Sequence, residues 1–172
     1  MTISKRSMGF TLIELMIVVA ILAIVTTIGV PSFNTLIKDN RLTAAANDLV
    51  GALQFARAEA VRRGRTIQVG SLDGGVANGL RVWFDENGNG ELNEGEELRI
   101  VRLATASGLK VSGEVDGSSV AVLNIGYSPR GAVKGGSMRI TLCDDRSGNH
   151  GKQLSLLASG LLRSSSGIAC SN

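Results

Sequence analysis

Histidine, cysteine, proline and aromatic residues are all scarce in this chain. One histidine and two cysteines are too few for a multi-Cys/His zinc site. Aromatics make up 3% of the residues, which leaves little to stack the bases of single-stranded nucleic acid. Two prolines among 22 glycines, with no Gly-X-Y period, exclude a collagen-like chain, and the glycines read as turns. There is no internal repeat and no G-x-S-x-G nucleophile elbow. Gly151-Lys152 is followed by Gln153 and has Arg146 where a phosphate-binding loop needs glycine. The single histidine, His150, lies in the turn-like stretch Ser147-Gly148-Asn149-His150-Gly151 and reads as an exposed loop residue. Asp144 and Asp145 are adjacent, so on a strand end they point apart and suit a solvated turn better than paired acid–base work. No catalytic constellation emerges, and the chain is expected not to be an enzyme.

What is present is apolar material: 44% of 172 residues, with 19% charged, enough for one packed domain and against disorder. The apolar residues are unevenly placed. Phe10 to Val30 is a run of 21 residues with one charge, Glu14. As a helix it would be about 31 Å long, enough to cross the hydrocarbon core of a bilayer. Lys5 and Arg6 before it favour a cytoplasmic N-terminal side, with the remainder exported. A secretory signal would have a shorter apolar core and a small-residue cleavage site after it. Here the run passes Pro31 into a second helical pattern. A plain membrane anchor explains the hydrophobicity but not Glu14, because a carboxylate inside a membrane segment is costly and marks a pairing.

Gly9-Phe10-Thr11-Leu12-Ile13-Glu14, behind a short basic leader, resembles the processing signature of type IV pilins and type II secretion pseudopilins. The resemblance implies cleavage after Gly9 by a prepilin peptidase and N-methylation of Phe10. It also implies a filament-core helix in which Glu14 meets the N-terminal amine of a neighbouring subunit, and a helix-kinking proline at Pro31. Loss of Lys5 and Arg6 with the leader would lower the net side-chain charge from +3 to +1, so overall charge does not favour nucleic acid.

From Asn34 to Arg63, Leu42, Ala45, Ala46, Leu49, Val50, Leu53, Ala56, Ala60 and Val61 recur at three- and four-residue spacing and form one stripe, with Gly64 as terminator. Pro31 should bend the helix near Ile28 without ending it. Beyond it the pattern predicts short strands at Thr66–Val69, Leu80–Asp85, Leu98–Leu103, Leu109–Val115, Val120–Tyr127, Met138–Cys143, Gln153–Leu157 and Leu161–Ser164. Closely spaced strands with no helices between them imply antiparallel sheets. The expected fold is therefore α+β: a long N-terminal helix packed on an antiparallel β-sheet domain. The segments are a leader over 1–9, a membrane or filament-core helix over 10–30, an amphipathic helix over 31–64 and a β-rich domain over 65–172. Ala56-Arg57-Ala58-Glu59-Ala60-Val61, Trp83-Phe84-Asp85, Tyr127-Ser128-Pro129-Arg130-Gly131 and a late Leu-Cys resemble the GspH/FimT family of minor pilins and pseudopilins, strongly over 9–64 and more loosely afterwards.

Three further features need placing. Asp85, Asn87, Asn89, Gly90, Glu91, Asn93 and Glu96 fall at positions 1, 3, 5, 6, 7, 9 and 12 of a calcium-loop spacing, with strand-like rather than helical flanks; a solvated hairpin loop rich in Asn-Gly turns reads the same way. Cys143 and Cys170 lie in the region that this topology exports, where an even pair suggests a disulfide. Arg57, Arg62, Arg63 and Arg65 gather at the helix end, where they would offset the macrodipole or touch phosphates. DNA-binding members of the resembled family carry a late Gly-Arg-X-Arg. This chain has Gly160-Leu161-Leu162-Arg163, which leaves Arg163 alone and disfavours DNA as a partner. The expectation is a minor pilin without a cofactor, held in the bacterial inner membrane with a periplasmic head and then built into a type IV pilus. Its partners would be other minor and major pilins and the prepilin peptidase. A type II secretion pseudopilin and a DNA-uptake pilin are the alternatives.

Overall fold

The computed structural model describes residues 10–73, 75–89, 91–103 and 108–171. The expected leader with Gly9, and Gly90 of the calcium-loop spacing, lie outside the described residues. Among the described residues helix α1 runs Leu12–Arg63, followed by ten strands: β1 (Ile67–Leu72), β2 (Gly75–Trp83), β3 (Glu97–Arg102), β4 (Lys110–Val115), β5 (Ser118–Val120), β6 (Asn124–Tyr127), β7 (Val133–Lys134), β8 (Met138–Cys143), β9 (Gly148–Leu156) and β10 (Leu162–Cys170). The chain divides into two units, Met1–Lys38 and Asp39–Asn172.

In the first unit the helix starts for a local reason. Thr11 Oγ1 accepts the backbone amide of Glu14 at 3.2 Å, and Leu15 N donates to the Thr11 carbonyl. Thr11-x-x-Glu14 is thus the spacing of a capping box. Every described residue from Phe10 to Leu36 is exposed.

In the second unit the helix buries Leu42, Ala45, Ala46, Leu49, Ala52, Leu53, Ala56 and Ala60. Five of the eight are alanines, so the helix axis can come close to what it packs on. The stripe departs from the periodicity at two places. Ala52 is in the core, and Val61 is 55% exposed; it sits in the last helical turn, past the edge of the packed seam.

The strands form two antiparallel sheets, ordered β3-β2-β1-β6-β7 and β10-β9-β8-β4-β5. Side chains alternate across each strand, and the register puts apolar rows on one face. In the first sheet, Val82, Val69 and Ile125 are neighbours, as are Leu80 and Val101. In the second, Val111, Leu142, Ile140 and Leu154 share the inner face. Both sheets and the helix contribute to one core.

The expected strand Val120–Tyr127 is two strands in different sheets. The chain crosses between them at residues 121–123, where Val76 N donates to the Ala121 carbonyl and Ser71 N to that of Leu123. Leu123 is buried in the core at the crossing, and Gly75, at φ +101°, leaves room for the Ala121 carbonyl. The last two strands are longer than the sequence suggests. The strand expected to end at Ser164 runs on through Ser165, Ser166 and Gly167 to Cys170, because pairing with β9 overrides the weak strand preference of serine and glycine. His150 lies on β9, exposed, rather than in a loop.

The Cys143–Cys170 disulfide is formed. It joins the end of β8 to the end of β10 across β9, where Gly151 fits beneath it. A Cβ there would lie 2.7 Å from Cys170 Sγ and 2.9 Å from the Ile168 carbonyl oxygen. Closing a loop of 27 residues' separation stabilises by about 3.5 kcal/mol on the chain-entropy estimate.

Leu53→Ala should lower the unfolding free energy of the full chain in detergent by about 2–5 kcal/mol. Val61→Ala should change it by under about 0.5 kcal/mol. Denaturant titration followed by circular dichroism distinguishes the two.

Candidate functional site

The strongest candidate is the surface of the first unit. From Phe10 to Val30 large apolar side chains dominate and are exposed in every direction around the helix: Phe10 is 77% exposed, Leu12 75% and Ile28 71%. Glu14 is the one charged side chain in that stretch. Other polar groups are masked. Thr26 Oγ1 donates to the carbonyls of Leu22 (2.9 Å) and Ala23 (3.1 Å), Thr27 Oγ1 to that of Ile24 (2.8 Å), and Thr35 Oγ1 to that of Pro31 (3.3 Å). Hydroxyls bonded to their own helix present an apolar exterior. Pro31 stands inside the helix and has no amide to donate. A helix apolar all round needs lipid or other helices against it.

In the second unit the arginines at the helix end are already engaged. Glu59 accepts from Arg62 Nη2 at 2.6 Å and from Arg63 Nε at 2.7 Å. Hydrogen bonds first from Arg62 and then from Arg63 hold the Glu59 carboxyl down to about 2. The Arg63 and Arg65 guanidiniums lie 5.4 and 5.0 Å from the centre of the Phe84 ring, within cation–π range. Arg57 has a separate role. It lies over Gly131 of the turn between β6 and β7, where an added Cβ would sit 2.9 Å from its Nε, and it also borders Gly160 of the turn between β9 and β10. The Ala-Arg-Ala-Glu, Ser-Pro-Arg-Gly and late Gly-Leu-Leu-Arg motifs therefore meet at one place, as packing.

The loop between β2 and β3 contains Asp85, Asn87, Asn89, Glu91 and Glu96, and the side-chain oxygens of Asp85, Asn87, Asn89 and Glu96 accept from its own amides. Asp85 Oδ1 accepts from Gly88 N and Asn89 N, Asn87 Oδ1 from Asn89 N, and Asn89 Oδ1 from Glu91 N. Glu96 is buried and accepts from Asn93 N at 2.8 Å and Glu86 N at 3.0 Å. These bonds, with that from Asn93 the largest cause, hold its carboxyl below the usual carboxylate range. Among the described residues no three His, Cys, Asp or Glu side chains form a metal-holding group. Arg163 is on β10 and exposed.

One charged cluster escaped the sequence. Asp144 is buried rather than in a solvated turn. Arg146 grips it through Nε (2.9 Å) and Nη2 (2.6 Å) and reaches Asp39 of α1 at 2.7 Å. These two carboxylates, Asp144 first, raise the Arg146 guanidinium further above its ordinary value. The spacing Asp-x-Arg gave no hint, because Asp39 is more than a hundred residues away.

Comparison with known proteins follows the same lines. The family model for the type II transport protein GspH matches residues 45–160, and that for the prokaryotic N-terminal methylation motif matches residues 5–30. The chain is 29% identical over 141 residues to a fimbrial protein of Pseudomonas aeruginosa, covering 82% of each. It is 29% identical over 125 residues to the pilin-like protein PilA1 of Thermus thermophilus, covering 72% of this chain and 77% of that one. The crystal structure of the type IV minor pilin FimU of Pseudomonas aeruginosa superposes with a TM-score of 0.55 at 25% identity, over 72% of this chain and 87% of that one.

Two outcomes are expected in the second unit. Arg146→Ala leaves buried Asp144 without its main partner and should cost about 2 kcal/mol, read by denaturant titration. Glu59, whose carboxyl is lower in the folded chain than its ordinary 4.5, adds stability that is full above about pH 4.5 and fades as the pH falls toward about 2. Glu59→Gln should remove that part of the acid limb and leave the rest of the pH–stability curve in place.

Proposed function

The chain belongs to the GspH family, with a type IV pilin fold and a structural rather than enzymatic role, and from that premise we propose that it is a minor pilin of a type IV pilus. In this reading a prepilin peptidase cleaves after Gly9, Phe10 becomes the methylated N-terminus, and Phe10–Val30 spans the inner membrane with the head in the periplasm. The subunit is then drawn into a filament among other minor and major pilins, at its initiating or tip end. The observation that carries the proposal is the fully exposed apolar helix with the single carboxylate Glu14 near its start. In the membrane that carboxylate is costly. It lies one turn past its own subunit's new terminus, so in a bundle of such helices it would meet the terminal amine of a neighbour shifted by that turn. A paired charge in a low-dielectric core is favoured over either charge alone, so Glu14 sets the axial register between subunits.

The matched family's own description favours a second reading, a pseudopilin of type II secretion. Disrupting the gene separates the two. Loss of surface pili and twitching with protein export intact supports the pilus; loss of export with pili intact supports secretion. DNA uptake has less behind it, since Arg62 and Arg63 are held by Glu59 and Arg163 stands alone beside Leu161.

Glu14→Gln tests the register role directly. A glutamine at this position retains a capping partner for Thr11 but carries no charge. The variant should be processed and inserted at wild-type levels while its incorporation into sheared filaments falls at least about tenfold, the effect of about 1.4 kcal/mol. Incorporation at the wild-type level would overturn the role assigned to the charge.

A further inference from the structure

Among the described residues the two sheets have four edge strands: β3 and β7 in the first, β10 and β5 in the second. An edge strand presents unpaired amides and carbonyls that can recruit another chain, and proteins guard such edges by shortness, charge, proline or bulges. Three of the four are guarded. Strand β7 has two residues and β5 three, and six-residue β3 carries Glu97, Arg99 and Arg102. The fourth is different. Strand β10 has nine residues, no proline and one charge, Arg163. Its pairing with β9 shifts after Ser166, and Gly167 is at φ +77°. The regular stretch is therefore Leu162–Ser166, about 16 Å of strand, with Arg163 to Ser166 all exposed.

Side chains along this stretch specify what fits. Cross-strand register aligns Glu114, Arg139, Ser155 and Arg163 in one row on the outer face. Arg139 Nη1 donates to Glu114 Oε2 at 2.8 Å, which completes that pair. Arg163 faces Ser155, and nothing acidic adjoins it in the row. An acid on the next strand would finish the pattern. A second copy of β10 could not supply it, since residues 162–170 include no Asp or Glu.

We propose that the open edge of β10, Leu162–Ser166, is a strand-docking site for an extended segment of a different polypeptide that places an Asp or Glu opposite Arg163. Main-chain hydrogen bonds supply the affinity and the Arg163 pair supplies the register. This site is independent of the N-terminal helix and would give Arg163 a protein partner rather than a phosphate.

The test uses the full chain in detergent micelles and a blocked seven-residue peptide of alternating threonine and valine with a central glutamate. The same peptide with a central lysine or a central proline serves as comparison. Expected is binding of the glutamate peptide at millimolar concentration or below, with slowed amide exchange at alternate residues of 162–166 and none from the proline peptide. Arg163→Glu should weaken the glutamate peptide by about fivefold, the upper range of a cross-strand charge pair, and should favour the lysine peptide instead. Arg163 is exposed, so this variant should retain the wild-type circular dichroism. No binding, or binding that ignores the charge swap and leaves the β10 amides unprotected, would overturn the proposal. So would β10 protection that grows with protein concentration in the absence of peptide, which would assign the edge to self-pairing.

Discussion

Everything in the second unit depends on one seam, the alanine-rich face of α1 from Leu42 to Ala60. Small side chains let the helix approach closely, and the leucines at 42, 49 and 53 fill the space that remains; all three are essentially inaccessible. Packing at this density leaves little room for error. It explains why the residues around the seam are constrained in ways their own chemistry would not require. Arg57 is one example: its stem and guanidinium cover the bare backbones of Gly131 and Gly160, so a polar residue on the helix serves as the lid of two turns. On the other face of the first sheet Gly70 is constrained separately, by the outer edge of the Trp83 indole 2.9 Å from where its Cβ would be.

The same helix obeys opposite rules in its two parts. Up to Leu36 it is apolar and uncovered; from Leu42 its apolar stripe is covered by the chain's own sheets. A soluble protein would not tolerate the first part, since contiguous exposed apolar surface on this scale marks an interaction or membrane site. The threonine hydroxyls that bond back to Leu22, Ala23 and Ile24 reduce the polarity further. What remains is a cylinder with one ionisable group, which is what a subunit needs if it is to exchange a lipid environment for a protein one without large changes in solvation.

Much of this was legible in the sequence, and the reasons differ by element. Helical periodicity revealed the seam because a 3.6-residue repeat over twenty residues has few competing explanations; it failed at Ala52 and Val61, where the edge of the stripe depends on what packs against it. The strands showed in their β-branched and apolar runs, but not their allocation to sheets. The run from Val120 to Tyr127 reads as one strand, and only the tertiary fold decides that Leu123 turns into the core while the flanks separate. The disulfide was foreseeable from the expected export of this region and an even cysteine count. The Asp39–Arg146–Asp144 cluster was not, because it joins residues far apart in sequence and leaves no periodic trace. For the calcium-like spacing, the same oxygens that could face a cation brace the loop through its own amides, and spacing alone does not distinguish the two uses.

The bracket between Cys143 and Cys170 has a mechanical side. A strand at the edge of an antiparallel sheet is usually peeled from one end, one hydrogen bond at a time, by a pull across its length. Here the far end of β10 is fastened to β8 with β9 enclosed between them. Tension reaching β10 cannot start a peel from that end; it must load the β9–β10 hydrogen bonds together or pass through the sulfur link into the middle of the sheet. In the filament role proposed above, the outermost strand would thereby be converted from the part that fails first into a part that shares its load with the core.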